Sequence, residues 1–217
     1  AILNKDGYKK NIDLIKDSLK ELSSEKIKNY LELGYLILDS RSPNDFFNSH
    51  IKSSLNIPLS GRYAVTAANL IGIKKSVILV CYKNDINESI IRLNRVGFEN
   101  ILGYYIINDL TPGNIISNIK SINASSAHKI KDHKYLDVRT NNEYDDKHVE
   151  NAINLPLFEL KESINLLDKD SNYIIYCRSG YRSSVASSIL KSNKINNIIN
   201  VSEGINGLLK NKSIPFN

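Results

Sequence analysis

One short segment of this sequence combines the residue types needed for nucleophilic chemistry. Cys177 follows an apolar run, and the residues after it read Arg178, Ser179, Gly180, Tyr181, Arg182 and Ser183. Cysteine reacts as the thiolate, which nearby guanidinium groups and the N–H groups of a helix N-terminus stabilise. The same N–H groups suit an anionic ligand, and glycine lets the backbone bend around the sulfur without a Cβ clash. The pattern predicts a nucleophilic cysteine in an anion-binding loop.

The residues on either side of this loop predict the elements that position it. The run from Tyr173 to Tyr176 is short and apolar, which is typical of a buried strand. After the loop, Val185, Ala186, Ile189 and Leu190 recur at helical spacing. A buried structural cysteine is the alternative, since free cysteine is often buried. Two arginines within the same turn argue against it, because an apolar core has no use for them.

The loop closely resembles the active-site loop of rhodanese-type sulfurtransferases, which carry sulfane sulfur as a cysteine persulfide. The neighbouring sequence agrees, although Asn151 replaces the family's usual glycine, the usual double glycine near the end is single, and the tryptophan that often follows is absent. The matching segments are Tyr135–Arg139 with Glu143 and Tyr144, then 148–156 (His-Val-Glu-Asn-Ala-Ile-Asn-Leu-Pro), then 201–205 (Val-Ser-Glu-Gly-Ile).

The resemblance implies both a fold and a division of roles. The expected fold class is α/β, with two rhodanese-like domains that each contain a parallel β-sheet flanked by helices. Cys177 and Arg182 are the expected catalytic residues, without a metal or an organic cofactor. The expected substrate-binding residues are Arg178, Ser179, Gly180, Tyr181 and Ser183.

The first half of the chain repeats the second. Asp39 and Arg41 match Asp137 and Arg139 at an offset of 98 residues, as do several later positions, and Cys81 matches Cys177 at an offset of 96. The repeat predicts a degenerate rhodanese-like domain at 1–110, a linker at 111–126 and a catalytic domain at 127–217. Strands are predicted over Leu36–Leu38, Val77–Val80 and Asn100–Tyr104 of the first half.

Helices are predicted in the first half over Asn87–Val96 and, near the N-terminus, over Lys10–Glu21. In the linker, Pro112, Gly113 and a run of Ser and Asn interrupt the pattern. Isoleucines between Ile115 and Ile122 still fall at the spacing of one helical stripe.

The first half has lost the features that would activate its cysteine. The residues after Cys81 include neither glycine nor arginine, and Asp85 would repel a thiolate. A buried structural thiol is therefore favoured for Cys81 over a redox role. Arg62 is a further candidate site residue, with a surface position as its alternative. Asp–Arg pairs and the histidines His50 and His148 occur in both halves, so structural roles are favoured for them.

The first half also resembles the rhodanese region appended to metallo-β-lactamase-fold persulfide dioxygenases. The similarity lies in 56–63 (Asn-Ile-Pro-Leu-Ser-Gly-Arg-Tyr) and 95–104 (Arg-Val-Gly-Phe-Glu-Asn-Ile-Leu-Gly-Tyr). It implies a fused or partner dioxygenase domain. The chain has only four scattered histidines and no metal-binding motif of such a domain.

Composition limits the remaining function classes. The net charge is +6, but the lysines are scattered and no nucleic-acid-binding motif appears, so a nucleic-acid partner is not expected. No run approaches the length of a membrane span, and the first residues do not read as a signal peptide. Two cysteines do not make a disulfide framework, which favours a reducing, cytoplasmic setting. The expected partners are small anionic sulfur donors and thiol acceptors.

The predicted function is transfer of sulfane sulfur from thiosulfate or a low-molecular-weight persulfide to a thiol, sulfite or cyanide. Its expected setting is sulfide detoxification and persulfide metabolism. A non-catalytic binding or regulatory module and a cysteine phosphatase are the alternatives. Four residues separate Cys177 from Arg182, the sulfurtransferase length, whereas related phosphatases have a loop longer by one residue.

Overall fold

The computed structural model describes residues 19–108 and 111–217. The strands are β1 (Leu36–Asp39), β2 (His50–Ile51), β3 (Leu55–Asn56), β4 (Val77–Val80), β5 (Ile101–Tyr105), β6 (Ile116–Ser117), β7 (Lys120–Ile122), β8 (Lys134–Asp137), β9 (Ile153–Asn154), β10 (Tyr173–Tyr176) and β11 (Ile198–Val201). The α-helices are α1 (Ser24–Glu32), α2 (Pro43–Asn48), α3 (Tyr63–Ile71), α4 (Ile86–Arg95), α5 (Ala124–Ala127), α6 (Asn141–Asp146), α7 (Leu160–Ser163), α8 (Tyr181–Ser192) and α9 (Gly204–Leu208). Short 3₁₀ turns cover Lys83–Asp85, Gly113–Ile115 and Ile164–Leu166.

The second sheet has five parallel strands in the order β7-β11-β10-β8-β9. Its central strand, β10, is buried along its whole length. Continuous apolar strands of this kind require cover on both faces, which in parallel sheets comes from helices. Because β10 lies in the middle and ends at Tyr176, the sheet delivers Cys177 to its carboxyl edge, where ligands bind in open α/β sheets.

The first half builds the same arrangement around β4. This fully buried strand pairs in parallel with β1 on one side and β5 on the other. Two parallel sheets flanked by helices confirm the predicted α/β fold. The predicted strands and helix of this half lie within one residue of the observed β1, β4, β5 and α4.

The chain also divides into two compact units whose limits differ from the sequence repeat. One comprises 1–42 and 57–116, and the other comprises 43–56 and 117–217. Within the second unit, the Ile119 N–H donates to the Phe47 carbonyl at 2.9 Å. The Asn56 N–H donates to Ser188 Oγ at 3.0 Å, and Ser184 Oγ donates to Asn56 Oδ1 at 3.2 Å. A segment of the first repeat is thereby hydrogen-bonded to α8. The bounds 1–110 and 127–217 stay a prediction based on the repeat.

Two local predictions are corrected. Residues 10–18 of the predicted helix Lys10–Glu21 lie outside the described residues, and Glu21 is not helical but forms an isolated parallel bridge with Tyr104. The predicted helical stripe from Ile115 to Ile122 is absent, because this part of the predicted linker forms β6 and then β7. Pairing with β11 overrides the helical spacing and makes β7 an edge strand of the second sheet.

Both halves repeat the same stabilising contacts. Arg41 pairs with Asp39 at 2.7 Å and Arg139 with Asp137 at 2.6 Å, all four being almost completely buried. His148 stacks on Tyr144 and its Nδ1 lies 2.7 Å from the carbonyl oxygen of that residue. His50 does the same with Phe46. The structural roles favoured for these pairs and histidines are thus confirmed.

In neither described range is any helix long and apolar enough to cross a lipid bilayer.

The turn after each of these histidines contains a residue with left-handed backbone. Ser53 has φ 61° and Asn151, at the matching position, has φ 58°. Left-handed backbone costs an L-residue about 1–2 kcal/mol, but asparagine tolerates it better than serine does. Replacing Ser53 by Gly should therefore raise the free energy of unfolding by about 0.5 kcal/mol, after the larger chain entropy of unfolded glycine is subtracted. Asn151→Gly should give a smaller gain. Urea denaturation of both variants checks this, and a loss of stability in Ser53→Gly would contradict it.

Candidate active site

Cys177 is the first residue after the central strand β10, and its thiol is buried. The N–H of Gly180 donates to its Sγ at 3.2 Å. Burial alone disfavours a charged sulfur, whereas a backbone N–H directed at it favours one. The loop from Cys177 to Gly180 therefore wraps around the sulfur as the sequence predicts.

Two glycines fix the shape of this loop. Gly180 has φ 98°, and a Cβ there would lie 2.2 Å from the carbonyl oxygen of Ser202. Gly204 has φ 57°, and a Cβ there would lie 2.3 Å from the carbonyl oxygen of Cys177. Any side chain at either position would push the loop away from the turn that follows β11.

Hydrogen bonds complete the contact between the loop and α9. The N–H of Ile205 donates to the Cys177 carbonyl at 2.7 Å, and the N–H of Asn206 donates to the Arg178 carbonyl at 3.3 Å. The first N–H groups of a helix have no intrahelical acceptor. In α9, those of Ile205 and Asn206 bind the loop carbonyls, so the same bonds satisfy the helix and the loop. The loop is held by backbone groups.

Helix α8 begins immediately after the loop. Gly180 is its N-cap in a left-handed conformation, without a side-chain capping bond. Ser183 Oγ donates to the Gly180 carbonyl at 3.1 Å, so this buried hydroxyl tightens the first turn. The first N–H groups of a helix have no intrahelical acceptor and carry partial positive charge. The start of α8 therefore has N–H groups of the kind that the sequence analysis expects around the sulfur, and a cradle for an anionic sulfur stays a prediction.

Arg182, the predicted second catalytic residue, is held by an acidic partner. Its Nη1 donates to Glu143 Oε2 at 2.5 Å and its Nη2 to Glu143 Oε1 at 2.7 Å. This two-point bond lowers the pKa of Glu143 to about 2. The bond to Glu143, and then the negative charge of a Cys177 thiolate, raise the pKa of Arg182. Arg182 remains a cation in the first turn after the cysteine loop, but its charge is shared with a carboxylate.

Sequence reasoning did not assign Glu143 a role in the site. The signal was present, because Thr140 and Glu143 have the S/T-x-x-E spacing of a capping box. Thr140 is the N-cap of α6, its side chain accepts from the Glu143 N–H, and Glu143 Oε2 accepts from the Thr140 N–H at 3.2 Å. The capping box fixes the carboxylate at the start of α6. Its contact with Arg182 depends on tertiary structure, so spacing alone does not reveal it.

The other predicted site residues lie in different surroundings. Arg178 and Ser179 are exposed, whereas Tyr181 is half-buried at the start of α8. Within the described residues, the Arg178 guanidinium forms no ion pair. Arg62 is exposed immediately before α3, without a side-chain capping bond, and its part in a site stays a prediction.

Cys81 lacks this environment. It follows β4, and a 3₁₀ turn over Lys83–Asp85 replaces the glycine loop. Burial, followed by the negative charges of Asp39 and Asp85, raises the pKa of the Cys81 thiol to about 12. A thiol of this kind is protonated and unreactive at neutral pH, as expected for a structural cysteine.

Across residues 19–108 and 111–217, His, Cys, Asp and Glu side chains form no group of three or more that could hold a metal ion.

Comparison with known families agrees with this geometry. The family model described as Rhodanese-like domain matches residues 17–106 and again 123–211. The chain belongs to the rhodanese-like family. The two matches cover both halves, so the degenerate half is a family member as well as the half that carries Cys177.

The curated relatives share only part of their length with this chain. A tRNA sulfurtransferase of Thermoplasma acidophilum is 37% identical over 65 residues, covering 30% of this chain and 13% of the relative. An adenylyltransferase and sulfurtransferase of Vanderwaltozyma polyspora is 36% identical over 85 residues, covering 34% and 20%. A rhodanese-related protein of Thermoplasma volcanium, whose structure is solved, is 33% identical with a TM-score of 0.42, covering 45% of this chain and 97% of its own. The chain therefore spans a fifth or less of these two curated relatives.

Alanine at Gly204 should disrupt the cysteine loop. The new Cβ would meet the Cys177 carbonyl oxygen at 2.3 Å, so the loop or the turn must move. We expect a loss of about 2 kcal/mol in the free energy of unfolding and a fall of at least about tenfold in the rate of sulfur uptake by Cys177. Urea denaturation and intact-mass kinetics measure the two effects. Gly113→Ala is the control, since its Cβ would meet nothing within 4 Å. Equal behaviour of the two variants would refute the role of Gly204.

The Glu143–Arg182 pair should make stability depend on pH in the acid range. The pKa of Glu143 falls from its ordinary 4.5 to about 2 on folding. The carboxylate's contribution is therefore fully present above about pH 4.5 and is lost as the pH falls toward 2. Wild type should exceed Glu143→Gln in the free energy of unfolding at pH 7, by a margin that shrinks below pH 4.5. Urea denaturation at a series of pH values measures it, and a margin unchanged down to about pH 3 would contradict the assignment.

Proposed function

We propose that this chain is a sulfurtransferase that takes sulfane sulfur from thiosulfate or a low-molecular-weight persulfide and delivers it to a thiol, sulfite or cyanide. Cys177 carries the sulfur as a persulfide between two half-reactions. The observation that carries the proposal is the Gly180 N–H directed at Cys177 Sγ, at the start of α8, whose first turn contains Arg182.

In the first half-reaction, the Cys177 thiolate attacks the sulfane sulfur of the donor. A new S–S bond forms to Cys177 while the donor's own bond to that sulfur breaks, and its electron pair leaves with the departing group. Thiosulfate departs as sulfite and leaves Cys177–S–S⁻. A persulfide R–S–SH departs as the thiolate R–S⁻, and its proton stays with the transferred sulfur. No electron source is required.

In the second half-reaction, the acceptor attacks the outer sulfur of the persulfide. The bond between that sulfur and Cys177 breaks, and its electron pair returns to Cys177 as the thiolate. Cyanide becomes thiocyanate, sulfite becomes thiosulfate, and a thiolate becomes a new persulfide. Both steps balance without a metal or an organic cofactor, so we propose none.

Each part of the site has a task in these steps. The first N–H groups of α8 and the Gly180 N–H stabilise the anionic outer sulfur. Arg182 stabilises negative charge on Cys177 when the thiolate forms or departs. Arg178, which is exposed, meets the charged part of the donor. Loop length agrees with a single sulfur atom as the carried group, because a phosphoryl group is bulkier.

The wider setting is also a proposal. The relatives named as sulfurtransferases support sulfur transfer but do not specify the donor. Both cysteines are free thiols, which suits a reducing cytoplasm. The resemblance of the first half to persulfide dioxygenase fusions favours sulfide and persulfide metabolism, with a dioxygenase domain as a fused or separate partner. We propose no nucleic-acid or membrane partner.

Mass spectrometry of the intact protein tests the proposal directly. After incubation with thiosulfate or glutathione persulfide, wild type should gain the mass of one sulfur atom, because Cys177 is the nucleophile. The gain should vanish on addition of cyanide and should be absent in Cys177→Ser. Cys81→Ser is the matched control and should gain sulfur like wild type, since its raised pKa keeps Cys81 protonated.

Other outcomes would point elsewhere. No gain with either donor would favour a binding module, for which Cys177 and its arginines have no chemical task. A gain that survives Cys177→Ser would move the chemistry to Cys81. Hydrolysis of an aryl phosphate that Cys177→Ser abolishes would instead establish a phosphatase.

A further inference from the structure

The positive charge of Arg182, in the first turn after the cysteine loop, is largely balanced by the charge of its own partner. Arg182 forms two short hydrogen bonds to the two carboxylate oxygens of Glu143. Such a planar, two-point pair is the strongest arrangement of an arginine with a carboxylate. For a ligand some distance away, the two charges of the pair nearly cancel. An anion that comes close to the carboxylate is repelled by it.

Glu143 is anchored independently of Arg182. The same Oε2 atom accepts from the Thr140 N–H at 3.2 Å and from Thr140 Oγ1 at 3.0 Å. Glu143 is therefore not a mobile side chain that a ligand anion could easily displace from Arg182. Such an anion must compete with a carboxylate whose pKa is lowered to about 2 and which is therefore charged at any physiological pH.

The consequence differs between the two donor classes. Thiosulfate is a dianion, and both charges lie next to the sulfur that Cys177 attacks. The reacting end of a thiol persulfide carries at most one charge, and its other charged groups lie several bonds away. Repulsion between charges falls with distance, so Glu143 disfavours thiosulfate far more than a persulfide.

We infer that Glu143 is a specificity-determining residue that selects organic persulfides over thiosulfate as the sulfur donor. The inference rests on the proposed function and narrows it to one class of substrate. Glu143 acts through Arg182: it holds the guanidinium in place and removes the surplus positive charge that would attract a small dianion. The donor is the persulfide of a small thiol, and its own thiolate is the leaving group in the balanced step given above.

Glu143→Gln removes the charge and keeps part of the hydrogen bonding. The amide oxygen can still accept from Arg182 and from the Thr140 N–H, and glutamine serves in capping boxes as glutamate does. The negative charge is lost together with one of the two bonds from Arg182, because the amide NH2 cannot accept. The second-order rate constant of Cys177 persulfidation is measured with each donor by quenching and intact-mass spectrometry on the full chain. In the variant, the constant for thiosulfate should rise by about tenfold, whereas that for glutathione persulfide should change by less than about twofold.

One further variant tests whether the effect of Glu143 depends on Arg182, and another serves as the control. In an Arg182→Gln background, Glu143→Gln should favour thiosulfate less than in wild type, because only the repulsion by the carboxylate is removed and no guanidinium is freed to bind the anion. Glu88→Gln is the matched control, since Glu88 pairs with Arg92 on α4 in the first unit at 3.4 Å. It should leave the ratio of the two rate constants unchanged.

Binding without chemistry gives a second measurement. In Cys177→Ser protein, the added Glu143→Gln change should tighten thiosulfate binding by about tenfold, measured by isothermal titration calorimetry. An equal fall of the rate constants for thiosulfate and glutathione persulfide would show a purely structural role for Glu143 and overturn the inference. An unchanged ratio of these two constants, together with unchanged thiosulfate affinity, would also overturn it. Absence of any persulfide on wild-type Cys177 would overturn the proposed function itself, which is a distinct result.

Discussion

The close contact between the cysteine loop and the turn after β11 is the constraint on which the site depends. Gly180 and Gly204 allow it, and the Ile205 and Asn206 N–H groups bind the loop carbonyls. In a trans peptide the carbonyl and N–H groups point in opposite directions. Because the Cys177 and Arg178 carbonyls face α9, the N–H groups of the same two peptides point away from it. The contact therefore fixes the direction of these two peptide dipoles and, with them, the shape of the loop.

The first half shows that the scaffold and the chemistry are separable. It keeps the central buried strand, the Asp39–Arg41 pair and the stacked His50, yet its cysteine loop contains no glycine. Cys81 and Cys177 are equally buried, at 1% exposure. Cys81 faces the charges of Asp39 and Asp85, which together with burial raise its pKa. Cys177 has the Gly180 N–H, the start of α8 and Arg182 instead. Burial is common to both cysteines, so the two sites differ in the groups that surround the sulfur.

Much of the fold and part of the site follow from sequence, because the deciding signals are local. Short apolar strands, the repeat and the residues after Cys177 predicted two parallel sheets, the loop and its helix. Non-local contacts decided the rest. Pairing with β11 made Lys120–Ile122 a strand despite its helical spacing, and Asn56 binds a helix 132 positions away through the Ser188 hydroxyl. Glu143 is visible in sequence as a capping residue, but its bond to Arg182 spans 39 positions.

Under the proposed function, that bond would also keep inorganic anions from occupying the cationic loop in place of a sulfur donor. Two free guanidinium groups over a helix N-terminus would attract phosphate and sulfate as readily as a sulfur donor. Glu143 balances one of those charges, that of Arg182 in the first turn of α8, while the exposed Arg178 keeps the other at the surface. Because the pair is partly exposed, at 24% and 30% for the two side chains, water weakens its field at a distance but little at contact. Repulsion is then confined to small anions that enter the loop, and a persulfide whose charges stay outside it escapes that repulsion.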